Sequence, residues 1–171
     1  MKLVLISIQP QWVEKIASGK KTIEVRKTAP KKIPFKVYIY CPKDKYDWVF
    51  LYSVDSNRNG NAQSCHGKVI GEFICDYIQE ITTETVSPEG VSCFFKDFYN
   101  IKKDDLKKIG LNHEELWNYG QGKPLYGWHI ADLKIYGKPK GLASFIFLVI
   151  SQAAKIVKNR FFMIVGAKKE E

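Results

Sequence analysis

Leu3 to Ile8 is an aliphatic run, and directly after it Trp12, Val13, Ile16 and Ala17 recur at helical spacing. The run predicts a buried strand. Pro10 suits the first turn of the short helix that follows, and Gly19 suits its stop. Thr22 to Lys27 then alternates, so a strand there sets Thr22, Glu24 and Arg26 on one face and Ile23 and Val25 on the other. Pro34 to Cys41 alternates too, with Phe35, Val37, Ile39 and Cys41 facing one way and Lys36, Tyr38 and Tyr40 the other.

Further along, the signals are less even. Asp55 to Gly67 is rich in Asn and Gly and predicts an exposed loop before a strand over Lys68 to Cys75, which can extend towards Ile81. Thr82 to Gly122 reads as an insertion between strands. Within it, Lys102 to Ile109 is charged with Leu106 and Ile109 as sparse anchors, and Asn112 with Glu115 predicts a capped helix ending near Gly120. Leu125 to Tyr136 returns to strand character, and Lys138-Pro139-Lys140-Gly141 breaks it. Strands of mixed spacing with helices across the ends imply an α+β fold, a compact mixed β-barrel, over a parallel βαβ sheet.

Leu142 to Val165 carries two signals. Leu142, Phe145, Ile146, Val149, Ile150, Ala153 and Val157 follow helical spacing, while Phe145 to Ile150 is an unbroken apolar run containing β-favouring residues. The helical period decides for helix. Gln152 and Lys155 interrupt it before the roughly 18 to 20 apolar residues of a membrane span. Lys155, Lys158 and Arg160 leave attachment to a membrane surface, or contact with a protein partner, as an alternative to packing on the barrel. The expected organisation is one domain over residues 1–140, with an extension over 141–171 packed on it.

Composition adds a bias of charge. The chain has 171 residues and a formal net charge of +9. Met1 to Lys45 holds 11 Lys or Arg against three acids (+8), and the remainder holds 16 against 15 (+1). A local basic excess suits a polyanion, because neutralised phosphates release counterions. Cys41, Cys65, Cys75 and Cys93 form no Cys-x-x-Cys pair, which argues for reduced thiols and against a zinc ribbon. No metal and no cofactor is expected. The start of the chain lacks the pattern of a signal peptide, so a cytoplasmic location is expected.

The chemistry concentrates in Gly19, Lys20, Lys21, Thr22, Glu24, Arg26 and Lys27. As a solvated strand face these charges contribute roughly 0 to 1 kcal/mol per pair. As a cleft floor, Arg26 offers a planar fork to phosphate, Lys20 and Lys21 add point charge, and Glu24 accepts from a base amino group or holds Arg26. His66 and His129 are isolated in sequence and suit structural or exposed positions better than catalysis.

Several segments together resemble the ASCH domain, a small member of the PUA-like β-barrel group. They are Leu5-Ile6-Ser7-Ile8-Gln9-Pro10-Gln11-Trp12, the Gly19/Lys21/Glu24/Arg26 signature, Val37-Tyr38-Ile39-Tyr40, Gly67-Lys68-Val69-Ile70-Gly71-Glu72-Phe73 and Tyr126-Gly127-Trp128-His129-Ile130. The Pro30-Lys31-Lys32 that follows the charged strand resembles the short versions of bacteria and their phages. The resemblance covers residues 1–140. It implies a PUA-like barrel with short flanking helices, a helical insertion before the last strands, and a basic cleft for RNA or a modified nucleotide. It places Lys21, Glu24 and Arg26 in that cleft and Trp128 near it. By their own chemistry Lys20 and Lys27 add charge beside them and the rings of Trp128 and Tyr126 can stack a base, with a core position closing the barrel as the alternative for Trp128.

Two activities go with related domains: RNA cleavage, and hydrolysis of an acylated cytidine through a Lys, Thr and Glu constellation. This chain has Glu24 where that relative has threonine, two places beyond Thr22. An enzyme here would be a ribonuclease or nucleoside amidohydrolase using Lys21 and Glu24, with Thr22 in place of the missing hydroxyl. The departure favours binding of RNA or a nucleotide over catalysis.

Overall fold

A computed structural model describes residues 1–43, 50–54, 60–87, 90–95, 100–147 and 149–151. In chain order the elements are β1 (Lys2–Ser7), α1 (Pro10–Ala17), β2 (Ile23–Arg26), β3 (Phe35–Cys41), β4 (Phe50–Val54), β5 (Gly60–Ser64), β6 (Lys68–Cys75), β7 (Ile78–Ser87), β8 (Gly90–Phe95), α2 (Lys103–Ile109), α3 (His113–Gly120), β9 (Leu125–His129) and β10 (Ala131–Gly141). The fold is α+β.

The alternation read in β3 is realised in full: Phe35, Val37, Ile39 and Cys41 are buried and the residues between them are partly exposed. β3 lies parallel to β1, with Leu5 opposite Tyr38, and antiparallel to β6, with Tyr38 opposite Glu72. A parallel pair needs a crossover, and α1 lies within it. β10 completes this mixed sheet in the order β1-β3-β6-β10. A second sheet, antiparallel throughout, has the order β2-β9-β7-β8.

Two apolar clusters follow from this layout. One gathers Ile8, Val13 and Ile16 against Phe35, Val37, Ile39, Phe73 and Trp128. The other sets Val25, Ile81, Phe95 and Leu125 of the second sheet against Ile109 and Leu116 from α2 and α3. The helical insertion thus closes the second core.

Four sequence readings are corrected by the structure. The predicted barrel is not closed among the described residues: β4 and β5 form a separate two-stranded ribbon, and the other strands form two four-stranded sheets. The chain crosses between them after Cys75 and again at Ile130, where β6 hands over to β7 and β9 to β10. The loop predicted over Asp55 to Gly67 contains a strand, β5, because pairing with β4 supplies hydrogen bonds that turn composition does not reveal. Residues 55–59 of that loop lie outside the described residues.

The Thr82 to Gly122 insertion includes β8 and most of β7, paired with Thr82 opposite Phe94. The break predicted at Lys138 to Gly141 is absent: β10 reaches Gly141, opposite Lys68. Pro139 is tolerated because β10 is an edge strand, and a register shift between Ile135 and Lys140 absorbs the extra residues.

At Gly71 β6 and β10 approach closely. A Cβ built there would stand 2.5 Å from the Lys134 carbonyl oxygen, so only glycine fits. Beyond β10, residues 142–147 and 149–151 are helical. The rest of the helix predicted to Val165 lies outside the described residues. Phe145 is buried, its ring edge-on to Tyr38 at 4.8 Å.

Candidate nucleotide cleft

The cleft begins with the way α1 ends. Ser18 N–H donates to Glu14 O and Gly19 N–H to Ile16 O, and Gly19 adopts a φ of 72°, the left-handed conformation that glycine reaches without strain. That turn brings Lys21 back beneath the helix, where its amide donates to Lys15 O at 2.9 Å. β2 is then fixed from both sides: Thr22 N–H donates to Lys108 O, and Thr22 O accepts from Ile130 N–H.

Lys21 is 3% exposed, yet each donor of its ammonium has an acceptor. Nζ donates to Ile23 O at 2.8 Å and to Ile109 O, and it lies 3.4 Å from Glu24 Oε2. Ile109 is the last residue of α2, so the ammonium satisfies a carbonyl left open by the helix end. Burial lowers the Lys21 pKa below its ordinary value, and the neighbouring Glu24 carboxylate opposes that shift.

Glu24 is 7% exposed and bridges two cations. Oε1 lies 3.2 Å from Arg26 Nε, an ion pair outside hydrogen-bond geometry. Arg26 Nη2 donates to Ser7 O at 2.7 Å, which ties β2 to the end of β1. The polar face of β2 is therefore a buried floor and not the solvated face that a single strand would present.

Around this floor lies a cleft of about 300 Å³, lined by Trp12 from α1, Leu111 and Tyr119 from the insertion, and Lys21, Glu24 and Arg26 from the segment between. Lys15 Nζ stands 4.5 Å from the centre of the Trp12 ring, and Lys27 Nζ 4.9 Å from that of Tyr119. Both aromatic walls thus carry a cation.

The structure brings Lys21, Glu24 and Arg26 together, with Lys27 against the Tyr119 wall. The other predicted residues lie elsewhere. Thr22 lines a separate cavity with His129, Asp105 and Lys108. Lys20 is exposed and lines a neighbouring groove. Trp128 is 4% exposed in the core, edge-on to Phe35 at 5.0 Å, with its indole N–H donating to Thr28 O. Tyr126, opposite Arg26 in the β2–β9 ladder, packs against the same core.

Trp12, Leu111 and Tyr119 were not among the sequence-derived site residues. Trp12 sits on the apolar stripe of α1 and so reads as core. Tyr119 is an exposed aromatic on a capped helix, a signal in the sequence that needs the fold to give it a neighbour. Among the described residues there is no group of three or more His, Cys, Asp or Glu suited to hold a metal ion, and no helix long and apolar enough to cross a membrane.

No family model and no curated protein matches the chain. Solved structures do. The crystal structure of ASCH from Zymomonas mobilis superposes with a TM-score of 0.51 at 17% identity, covering 83% of this chain and 75% of that one. A serine-to-alanine variant of the Zymomonas mobilis protein gives 0.50 at 18% identity, with the same coverage of both chains. The fold is, on these grounds, similar to that of the ASCH structures from Zymomonas mobilis.

Proposed function

We propose that the chain binds RNA, or a modified nucleotide, through one nucleotide held in the basic cleft. The observation that carries this reading is the Lys21–Glu24–Arg26 floor between the Trp12 and Tyr119 walls. Two cations and one carboxylate leave the floor with a net positive charge, and Arg26 is its more exposed member. A planar guanidinium suits phosphate, and flanking aromatic rings suit a base. The volume, at the small end of ligand pockets, fits a single nucleoside unit better than a helix.

Binding is favoured over hydrolysis by the state of Lys21. Its donors are committed to two carbonyls and a carboxylate, an arrangement that positions Glu24 and leaves no free amine. The hydrolase reading has one observation of its own: burial lowers the Lys21 pKa beside a carboxylate that lines the cleft, as proton transfer requires. Calorimetric titration with nucleoside monophosphates, with acylated cytidine as a turnover substrate, tests both. Salt-sensitive binding lost in folded Arg26→Ala supports the cleft; no binding of any monophosphate removes it. Turnover abolished in folded Glu24→Gln would establish the hydrolase instead.

We further propose that the start of the C-terminal extension, residues 142–147 and 149–151, packs on the domain, a reading supported by Phe145 buried against Tyr38. Truncation after Gly141 tests it, since loss of that contact exposes the outer face of the first sheet. Ile146 and Ile150 are exposed beside Leu3 and Leu5, which is what favours a contact surface for a protein partner or membrane.

A further inference from the structure

We propose that the cleft opens into a backbone track for single-stranded nucleic acid formed by Lys15, Lys20, Lys103 and Lys107. This rests on the nucleotide reading of the cleft and specifies its ligand as a polynucleotide strand.

A groove of about 600 Å³ runs beside the cleft, with these four lysines around a floor of Leu106 and Leu111. They come from three separate segments: the end of α1, the turn after it, and α2. Among the described residues, no acidic side chain lines the groove. Lys107 pairs with Asp104 at 2.9 Å, but both side chains are well exposed (68% and 81%), so the pair is weak and gives way to a phosphate.

Converging like charges repel, and the arrangement becomes favourable when an anion crosses it. The groove and the cleft are neighbours. Leu111 lines both, and Lys15 of the groove lies over the Trp12 wall of the cleft. A strand with one nucleotide in the cleft therefore meets the lysines with its next phosphates. The apolar floor selects for single strands, whose unstacked bases can lie on Leu106 and Leu111, whereas duplex RNA presents phosphates and sugar edges.

The test compares a nucleoside monophosphate with a single-stranded RNA of about ten nucleotides, a length within the range of one small binding domain. Affinities are measured across salt concentrations for the parent and for Lys103→Ala/Lys107→Ala, two exposed positions outside the cleft. The oligonucleotide is expected to bind more tightly than the monophosphate at low salt. In the double variant its slope of log affinity against log salt should fall by about 1.4, or about 0.7 per lost phosphate contact, with monophosphate affinity unchanged.

An unchanged oligonucleotide slope in the double variant overturns the track. So does a slope change confined to binding of phosphatidylserine vesicles, which would make the groove a lipid contact. Failure of the monophosphate to bind removes the cleft reading alone, because the oligonucleotide slope still decides the track.

Discussion

Lys21 Nζ stands 3.4 Å from Glu24 Oε2, with the two side chains only 3% and 9% exposed. An ion pair so placed has exchanged its water for protein partners, and its members depend on one another. Glu24→Gln leaves the Lys21 ammonium and the Arg26 guanidinium facing a neutral amide. Urea unfolding should show a loss of about 3 kcal/mol, typical of breaking one side of a buried pair. Adding Lys21→Met to that variant should recover part of the loss, and strict additivity of the two changes would show that the pair is not coupled.

Trp12 and Trp128 should separate stability from binding. Trp128 is buried against Phe35 and hydrogen-bonded to Thr28 O, so Trp128→Ala should cost about 3–5 kcal/mol. Trp12 lines the cleft and is partly exposed, so Trp12→Leu, which keeps an apolar residue on α1, should retain the fold. It should weaken nucleotide binding by about 1–3 kcal/mol if the ring stacks a base. Thermal melts and titrations on both variants give the comparison, which fails if the two effects are exchanged.

Gly71 and Gly137 lie on paired strands and differ in what surrounds them. A methyl at Gly71 meets the Lys134 carbonyl at 2.5 Å and Ile135 Cδ1 at 3.1 Å, whereas one at Gly137 meets nothing within 4 Å. Gly71→Ala should destabilise by about 3 kcal/mol, since backbone and not a flexible side chain must move. Gly137→Ala should lie within about 0.5 kcal/mol of the parent, as exposed substitutions usually do. Equal melting temperatures for the two would mean that β6 and β10 are not packed this tightly.

The outer face of the first sheet predicts an acid dependence. Burial acts to raise the Glu72 carboxyl, but hydrogen bonds from Lys36 Nζ and Tyr136 Oη outweigh it and hold the group below its ordinary value of 4.5. The unfolded chain therefore binds the proton first as pH falls, so stability rises with pH in that window. The Glu72 contribution is complete above the ordinary value and is lost as pH drops through it to the folded value. Glu72→Gln should flatten this part of the curve of unfolding free energy against pH. On the alkaline side Lys36 is raised, chiefly by its hydrogen bond to Glu72, so its contribution is complete below 10.5 and lost above.

Much of this architecture is local. β3 reads correctly because one face is buried and one is not, and a two-residue period records that condition directly. α3 reads correctly because Asn112 and Glu115 satisfy each other's backbone donors within one turn, as their sequence spacing requires. β5 and the end of β10 were not legible, because a polar strand beginning Gly60-Asn61 and a Pro-containing edge owe their extended form to the neighbour they pair with.

The candidate site divides along the same line. The sequence by itself determined that Lys21, Glu24 and Arg26 lie within one turn and strand, that the first quarter of the chain is basic, and that α1 has stopped by Gly19. Only the tertiary structure decided that the polar face of β2 is a buried floor, because α1 and the remote insertion cover it. It also decided that Ile109 O serves as a ligand to Lys21, a role that backbone takes irrespective of side-chain identity. The same packing set Trp128 into the core and Trp12 on the cleft wall. Periodicity records that a face is covered, and which segment covers it depends on contacts far apart in the chain.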